Sequence, residues 1–199
     1  MSENKPLLWV LGGAAFAFVA VVAYWIFALT LAKQMQSDLV SPQKTAAFIH
    51  SILEANRNNY TDNVVVKLQK DGIEAHEHWR DERGVPLPAQ FLLESGRLVA
   101  LKDLHFSFRL ASLTPIYVWN APNSDMERVA LSEVQKNPLQ PHYGIVRQGD
   151  LRLFQAVYAD RAVSQACVEC HNKHPNSPRR DYKLNDVMGA IVITFPIGE

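Results

Sequence analysis

Residues 142–159 read HYGIVRQGDLRLFQAVYA, and this stretch decides the fold class. Two β-prone runs, 142–147 and 151–159, flank the turn-type sequence Gln148-Gly149-Asp150. Apolar runs on either side of a short turn that contains glycine are typical of a β-hairpin. The stretch therefore predicts two antiparallel strands.

The segments on either side of this hairpin contain both strand and helix patterns. Strands are predicted at NVVVKLQK (63–70), HFSFRLASL (105–113) and GAIVITFPI (189–197). Helices are predicted from Ser41-Pro42, within PLPAQFLLES (86–95), and from the Ser124 to Glu127 capping box to about Asn137. Antiparallel strands interleaved with helices indicate an α+β domain.

The amino-terminal part has a different character, because no charge occurs from Leu7 to Ala32. A helix of this length crosses a bilayer core of about 30 Å, so the run predicts a transmembrane helix. A cleaved signal peptide ending at Ala32 is the alternative, although its apolar region would be about twice the usual length. The expected division is a short terminus (1–6), the span (7–32), a juxtamembrane helical segment (33–62) and the main domain (63–199).

Composition excludes several classes of protein. The 199 residues contain 20 Lys plus Arg and 20 Asp plus Glu, and a nucleic-acid partner would need a basic excess. The chain has only two cysteines, which excludes a disulfide-dense scaffold. Those two cysteines are three residues apart and form a motif.

The motif is CVECH, from Cys167 to His171, which is the attachment signature of c-type haem. On one helical turn the two thiols reach the two vinyl groups as thioethers, and the adjacent histidine becomes the proximal iron ligand. Three alternatives are a thiol redox pair, a zinc site that also uses His174, and a chance pair of thiols. The first lacks a βαβ context, and the second lacks the usual separation between ligand pairs.

Haem attachment also predicts topology, because c-type haem is attached on the outer face of the energy-transducing membrane. We therefore expect residues 1–6 in the cytoplasm and a single span in the inner membrane. The main domain is expected in the periplasm.

Four runs of sequence together resemble a known family. They are RLASLTP (109–115), NAPN (120–123) with Glu127 after it, CVECHN (167–172) and DYKLNDVMGA (181–190). They look like the extracytoplasmic haem-c-binding PAS-like sensor domains, which are catalogued as a domain of unknown function. Members of that family often stand in front of chemotaxis-receptor or histidine-kinase modules. The resemblance covers roughly residues 35–197 and implies a PAS-like antiparallel sheet flanked by helices.

The sequence departs from this family in two ways. The family often carries a cysteine on the first soluble helix, whereas this chain has His50 in that neighbourhood. No signalling module follows Glu199 in the sequence. The signal is therefore expected to pass to a separate partner, or the domain serves to move electrons.

Candidate ligands and contacts of the haem follow from these patterns. His50 is the first candidate for the sixth iron ligand, His105 the second and Met188 the third. A hydrogen-bonded core histidine is the alternative for His50, since its helix also presents apolar residues. Arg109 and Tyr182, which lie in the family-like runs, are the expected contacts of the haem periphery, with Arg109 pairing with a propionate.

The expected function is sensing of redox state or of a diatomic ligand by one covalent haem in a membrane-anchored protein. The alternative is an electron-transfer cytochrome that serves a membrane redox complex. Partners are then the membrane, a signalling or redox protein, a diatomic ligand and a second copy of the chain. No set of residues demands an enzyme activity.

The uninterrupted apolar run predicts that the anchor is retained in the mature protein. Intact mass spectrometry of the matured protein is expected to give the mass of the full chain, with or without Met1, plus one haem. A mature chain that begins at Lys33 would contradict the anchor and leave the haem assignment intact.

Overall fold

The computed structural model describes residues 5–37 and 40–198, with side chains for 18–34 and 40–198. The chain divides into two compact units, Met1–Ser41 and Pro42–Glu199. Each is described by itself.

The first unit contains helix α1, Lys5–Ser37. The predicted span of residues 7–32 falls within its bounds, but residues 1–4 and the side chains of 7–17 lie outside the described part. Within that part, no helix has the length and apolar character needed to cross a membrane. The transmembrane span therefore stays a prediction.

The second unit is built on an antiparallel sheet, four-stranded within the described residues, in the order β1-β4-β3-β2. Its strands are β1 (Ser107–Ala111), β2 (His142–Gln148), β3 (Leu151–Arg161) and β4 (Val187–Pro196). Strands β2 and β3 form the predicted hairpin, and Gly149 takes the left-handed conformation (φ +60°) that its turn requires. The α+β prediction is confirmed.

The helices of this unit are α2 (Pro42–Tyr60), α3 (Val66–Lys70), α4 (Pro88–Ala100), α5 (Asp125–Lys136) and α6 (Gln165–Lys173). A π-helical turn covers Thr61–Val65, and a short 3-10 helix covers Val118–Asn120. The helices predicted from Ser41-Pro42, within residues 86–95 and after Ser124 are therefore confirmed.

The strand predicted over residues 63–70 is wrong. The backbone stays in the right-handed helical region at Tyr60 and at Val65, so α2 continues through the π-helical turn into α3. Val65 is buried at 5% exposure, whereas Val64 and Val66 are exposed, which is the pattern of a helix with one face on the core. Strand propensity depends on a partner strand and on alternating buried positions, whereas this segment pairs with no described strand and buries only Val65.

Both faces of strand β4 are buried. Ile191 and Ile193 point to the face covered by α2 and α4, and Ala190 and Val192 point to the face covered by α5. Because side chains alternate along a strand, an apolar run of this kind fits a central strand covered on both sides. Helix α2 contacts β3, β4 and α4, and it belongs with them to the compact unit that begins at Pro42.

A buried ion pair connects β1 to α5. The Glu127 side chain is 2% exposed and accepts a hydrogen bond from Arg109 Nη2 at 2.5 Å. Glu127 also accepts from the backbone N–H of Asn123, while its own N–H donates to Ser124 Oγ at 3.1 Å. The Ser124 side chain therefore caps α5 as predicted. The Glu127 carboxylate, which in a capping box accepts from the backbone N–H of the cap residue, accepts here from that of Asn123.

Replacement of Arg109 tests how strongly this pair stabilises the fold. Arg109→Met would leave the Glu127 carboxylate buried without its guanidinium, and we expect the free energy of unfolding to fall by about 3 kcal/mol. Urea denaturation measures it. Lys136→Met, which breaks the exposed pair with Glu133 on the same helix, is the control and is expected to change little. A loss of less than about 1 kcal/mol for Arg109→Met would contradict a stabilising role for the pair.

Candidate functional site

The CVECH motif lies on helix α6, whose start is fixed by Ser164. The Ser164 hydroxyl accepts a hydrogen bond from the Cys167 backbone N–H and lies 3.1 Å from Cys167 Sγ. The spacing of three residues between Cys167 and Cys170 brings both thiols to neighbouring positions one turn apart, with His171 next to the second. Both cysteines are free and partly exposed, so both are available for covalent attachment.

The surroundings of His171 keep its imidazole neutral. Burial lowers the pKa of His171, and this lowering outweighs the opposite effect of Asp160. Its Nδ1 atom is buried and has no hydrogen-bond partner among the described residues. A neutral imidazole is the form that binds a metal, so His171 is prepared as a ligand. Burial likewise raises the pKa of the Cys170 thiol.

Tyr182 supports the histidine from the side. Its ring meets the His171 ring edge to face at a centroid distance of 5.6 Å, and its hydroxyl lies 2.8 Å from Thr114 Oγ1. The Asn172 side-chain amide donates to the Tyr182 carbonyl and accepts from its N–H, both at 2.9 Å. The Arg179 guanidinium lies over the Tyr182 ring, 4.3 Å from the ring centroid. The structure therefore brings predicted Tyr182 to the motif histidine.

The candidate ligands Met188 and His105 lie in different surroundings. Met188 is buried in one cluster with Val168 and Tyr182, against Cys167. His105 is exposed in the turn before β1, where its φ of +49° places it outside the strand that it was expected to open. The structure brings Met188, and not His105, into contact with the motif.

His50 lines a cavity of about 160 Å³ between α2 and the end of β3. Its ring stacks on Tyr158 at a centroid distance of 4.0 Å with an interplanar angle of 12°. Burial is the main cause that lowers the pKa of His50. His50 is thus a neutral, half-buried imidazole on the helix where the sequence predicted a sixth ligand. Other residues of the cavity wall include Glu54, Val163 and Asn185.

Two further residues of this cavity, Arg57 and Asp160, had not been singled out from the sequence. Arg57 Nη2 lies 2.7 Å from Asp160 Oδ1, with side-chain exposures of 10% and 18%. The cavity connects electrostatically to the motif, since Asp160 acts on His171 and a Cys167 thiolate acts on Arg57. The sequence contains one indication for Arg57. It follows His50 by seven residues, about two helical turns, so both residues lie on the same face of a helix.

A second polar cluster contacts the carboxyl end of α6. Tyr117 donates a short hydrogen bond to Glu77 Oε2, and His174 Nε2 lies 3.2 Å from the same oxygen. Burial, followed by the bond to Glu77, raises the pKa of Tyr117 to about 12. The side chain of His174 is only 10% exposed, because this cluster covers it. Tyr117 stacks on the exposed Trp119 at 4.9 Å.

The zinc alternative has no support in this geometry. Among the described residues, no three side chains of His, Cys, Asp or Glu converge in a way that would hold a metal ion. His174 is directed to Glu77 and not to the two thiols.

Arg109 is engaged elsewhere, with Glu127 and with the Ala121 carbonyl at 3.1 Å. Its expected pairing with a haem propionate stays a prediction.

Comparison with known proteins gives one family and one solved structure. The family model described as Tll0287-like matches residues 32–196, close to the range over which a family resemblance was expected. A crystal structure of the cyanobacterial heme-protein Tll0287 is similar with a TM-score of 0.48 and 14% identity, covering 80% of this chain and 99% of that chain. No curated protein matches the chain.

Proposed function

Because the chain belongs to the Tll0287-like family, we propose that it binds one covalent c-type haem and senses redox state or a diatomic ligand. Cys167 and Cys170 form the thioethers, and His171 is the proximal ligand. In this proposal the sheet and its helices form a PAS-like domain, which α1 anchors in the inner membrane with the domain in the periplasm. The haem supplies an iron that exchanges one electron and binds small ligands.

One observation carries the proposal: the donor set on α6 is complete, and no disulfide among the described residues occupies its thiols. The two thiols are free, and the His171 ring is neutral with Nδ1 unpaired among the described residues. Two free thiols one helical turn apart, with a neutral imidazole next to the second, are the donors that covalent haem attachment requires. The residues present therefore fit the haem.

His50 is proposed as the sixth ligand because it is a neutral imidazole on the wall of the cavity beside the motif. Displacement of His50 by an incoming ligand would free its side chain and alter the packing of α2. In the sequence α1 ends at Ser37 and α2 begins at Pro42, so few residues separate the proposed sensor helix from the proposed anchor. This short connection supports sensing.

Electron transfer is the second candidate, and a different observation favours it. Tyr117 is close enough to Cys170 for the thiolate charge to raise the pKa of its hydroxyl, and Tyr117 stacks on Trp119. Trp119 is 67% exposed. The aromatic pair thus leads from the attachment cysteine to the surface, where a redox protein would dock.

Covalent attachment is tested with protein produced together with a cytochrome c maturation system. The wild type is expected to keep peroxidase-type haem stain through denaturing electrophoresis, and the Cys167→Ala, Cys170→Ala double variant is expected to lose it. Ser164→Ala, which weakens the helix cap but keeps both thiols, is the control and should retain the stain. Full stain in the double variant would refute covalent attachment at these residues.

The sixth ligand is tested with His50→Ala. If His50 binds the iron, the wild type is low-spin, and the variant is expected to be high-spin and to bind carbon monoxide faster in the ferrous form. His142→Ala, on β2, is the matched control and should keep the wild-type optical spectrum. An unchanged low-spin spectrum in His50→Ala would eliminate His50, and Met188 and His105 would then be replaced in turn.

The wild-type protein in the same assay separates the two functions. Ready binding of carbon monoxide, with a change in the environment of α2, supports sensing. Resistance to added ligands in both oxidation states supports electron transfer.

A further inference from the structure

The buried ion pair between Arg57 and Asp160 is unusual in its position. Arg57 lies on α2, and Asp160 lies at the end of β3, four residues before the Ser164 cap of the motif helix. Their side chains are 10% and 18% exposed, so both charges are largely withdrawn from water. Burial of an ion pair has a desolvation cost that its attraction often does not repay, so stability alone does not account for this pair.

Asp160 is incompletely satisfied. Its Oδ1 atom lies 2.7 Å from Arg57 Nη2, whereas a carboxylate can accept several hydrogen bonds. His171 Nδ1 is likewise buried without a partner. A histidine that binds a metal usually donates its other ring N–H to a carboxylate, a carbonyl or water. The Asp160 carboxylate, which can accept further hydrogen bonds, and the unpaired His171 imidazole thus have complementary needs.

The pair lies beside the motif helix. Ala162, two residues after Asp160, is buried in one cluster with Val168 and packs against Cys167, so the end of β3 that carries Asp160 adjoins the motif. Arg57 lies on the same side, because its Nη2 atom is 2.7 Å from Asp160 Oδ1. In a site of low polarity, such charges are weakly screened and act strongly on a nearby iron.

We propose that Asp160 and Arg57 are positioning residues that set the reduction potential of the haem iron from the side of His171. The inference rests on the proposed function. The carboxylate of Asp160 stabilises the ferric iron by its negative charge and by increasing electron density on the proximal imidazole. The guanidinium of Arg57 counteracts it and stabilises the ferrous iron. The midpoint potential therefore reflects the balance of the two charges.

Spectroelectrochemical titration of the haem-loaded full chain tests the proposal. Asp160→Asn is expected to shift the midpoint potential upward, and Arg57→Gln is expected to shift it downward. Arg57→Lys and Asp160→Glu keep the charges and are expected to stay near the wild type. Glu94→Gln, which removes an exposed carboxylate that is also paired with an arginine, is the matched control and should not shift the potential.

A single neutral variant leaves one buried charge unpaired and is the variant most prone to unfold. The double variant Arg57→Gln, Asp160→Asn avoids this, because it leaves no unpaired charge. Its midpoint potential is expected to lie above the wild type, since Asp160 acts on the ligand itself, and below that of Asp160→Asn.

The outcomes separate the two levels of the proposal. Wild-type protein without covalent haem would overturn both the proposed function and this inference. Loaded protein whose two single variants shift in the same direction, or whose double variant keeps the wild-type potential, would overturn the inference alone. Opposite shifts of the midpoint potential, with normal haem attachment and an unchanged number of iron ligands, would support the inference. A pair with a purely structural role would lower stability but would not move the potentials of the two variants in opposite directions.

Discussion

The structure of the second unit depends on the burial of strand β4 on both faces. Ile191 and Ile193 are at most 1% exposed on one face, and Ala190 and Val192 are at most 2% exposed on the other. A strand of this kind is stable only between two other strands and two layers of helix, because each apolar face must be removed from water. The chain meets this requirement with β1 and β3 as neighbours, α5 on one side, and α2 with α4 on the other. The position of α2, and therefore of His50, is a consequence of covering β4.

The parts of the fold that were predicted from the sequence are those whose pattern is local. The β2–β3 hairpin has its turn and both strands within about twenty residues, and the Ser124 cap lies next to the helix that it starts. Residues 63–70 were assigned wrongly because β-branched side chains favour a strand only where a partner and a buried face exist. Here the preceding helix was already formed and Val65 alone had a buried position. Whether residues 63–70 form a helix or a strand depends on tertiary packing, and the pattern of eight residues gives no information on that packing.

The same distinction, between local patterns and contacts of residues far apart in the sequence, applies to the candidate site. Cys167, Cys170 and His171 follow each other within one turn, so their association was evident from the sequence. The contact between Glu77 and His174 joins residues 97 positions apart, and the pair of Arg57 and Asp160 joins α2 to β3. Spacing along the chain carries no information on such contacts unless both partners lie on one regular element. For this reason Arg57, Asp160 and Tyr117 were not identified from the sequence.

The polar groups around the motif are arranged asymmetrically, and this asymmetry connects the two candidate functions. On one side lie His50 and Arg57, which belong to the helix that follows the proposed anchor in the sequence, and Asp160 at the end of β3. In the proposed function, a change of ligand or charge there acts on α2. On the other side lie Tyr117 and Trp119, whose rings stack and of which Trp119 is exposed to solvent. A sensor requires the residues near α2 to respond to a change at the iron. An electron carrier requires those residues to stay fixed while electrons pass by way of Tyr117 and Trp119. In the proposed sensor, a change of iron charge would alter the balance between a carboxylate and a guanidinium that belong to different elements, and in the proposed electron carrier the same pair would hold the potential constant.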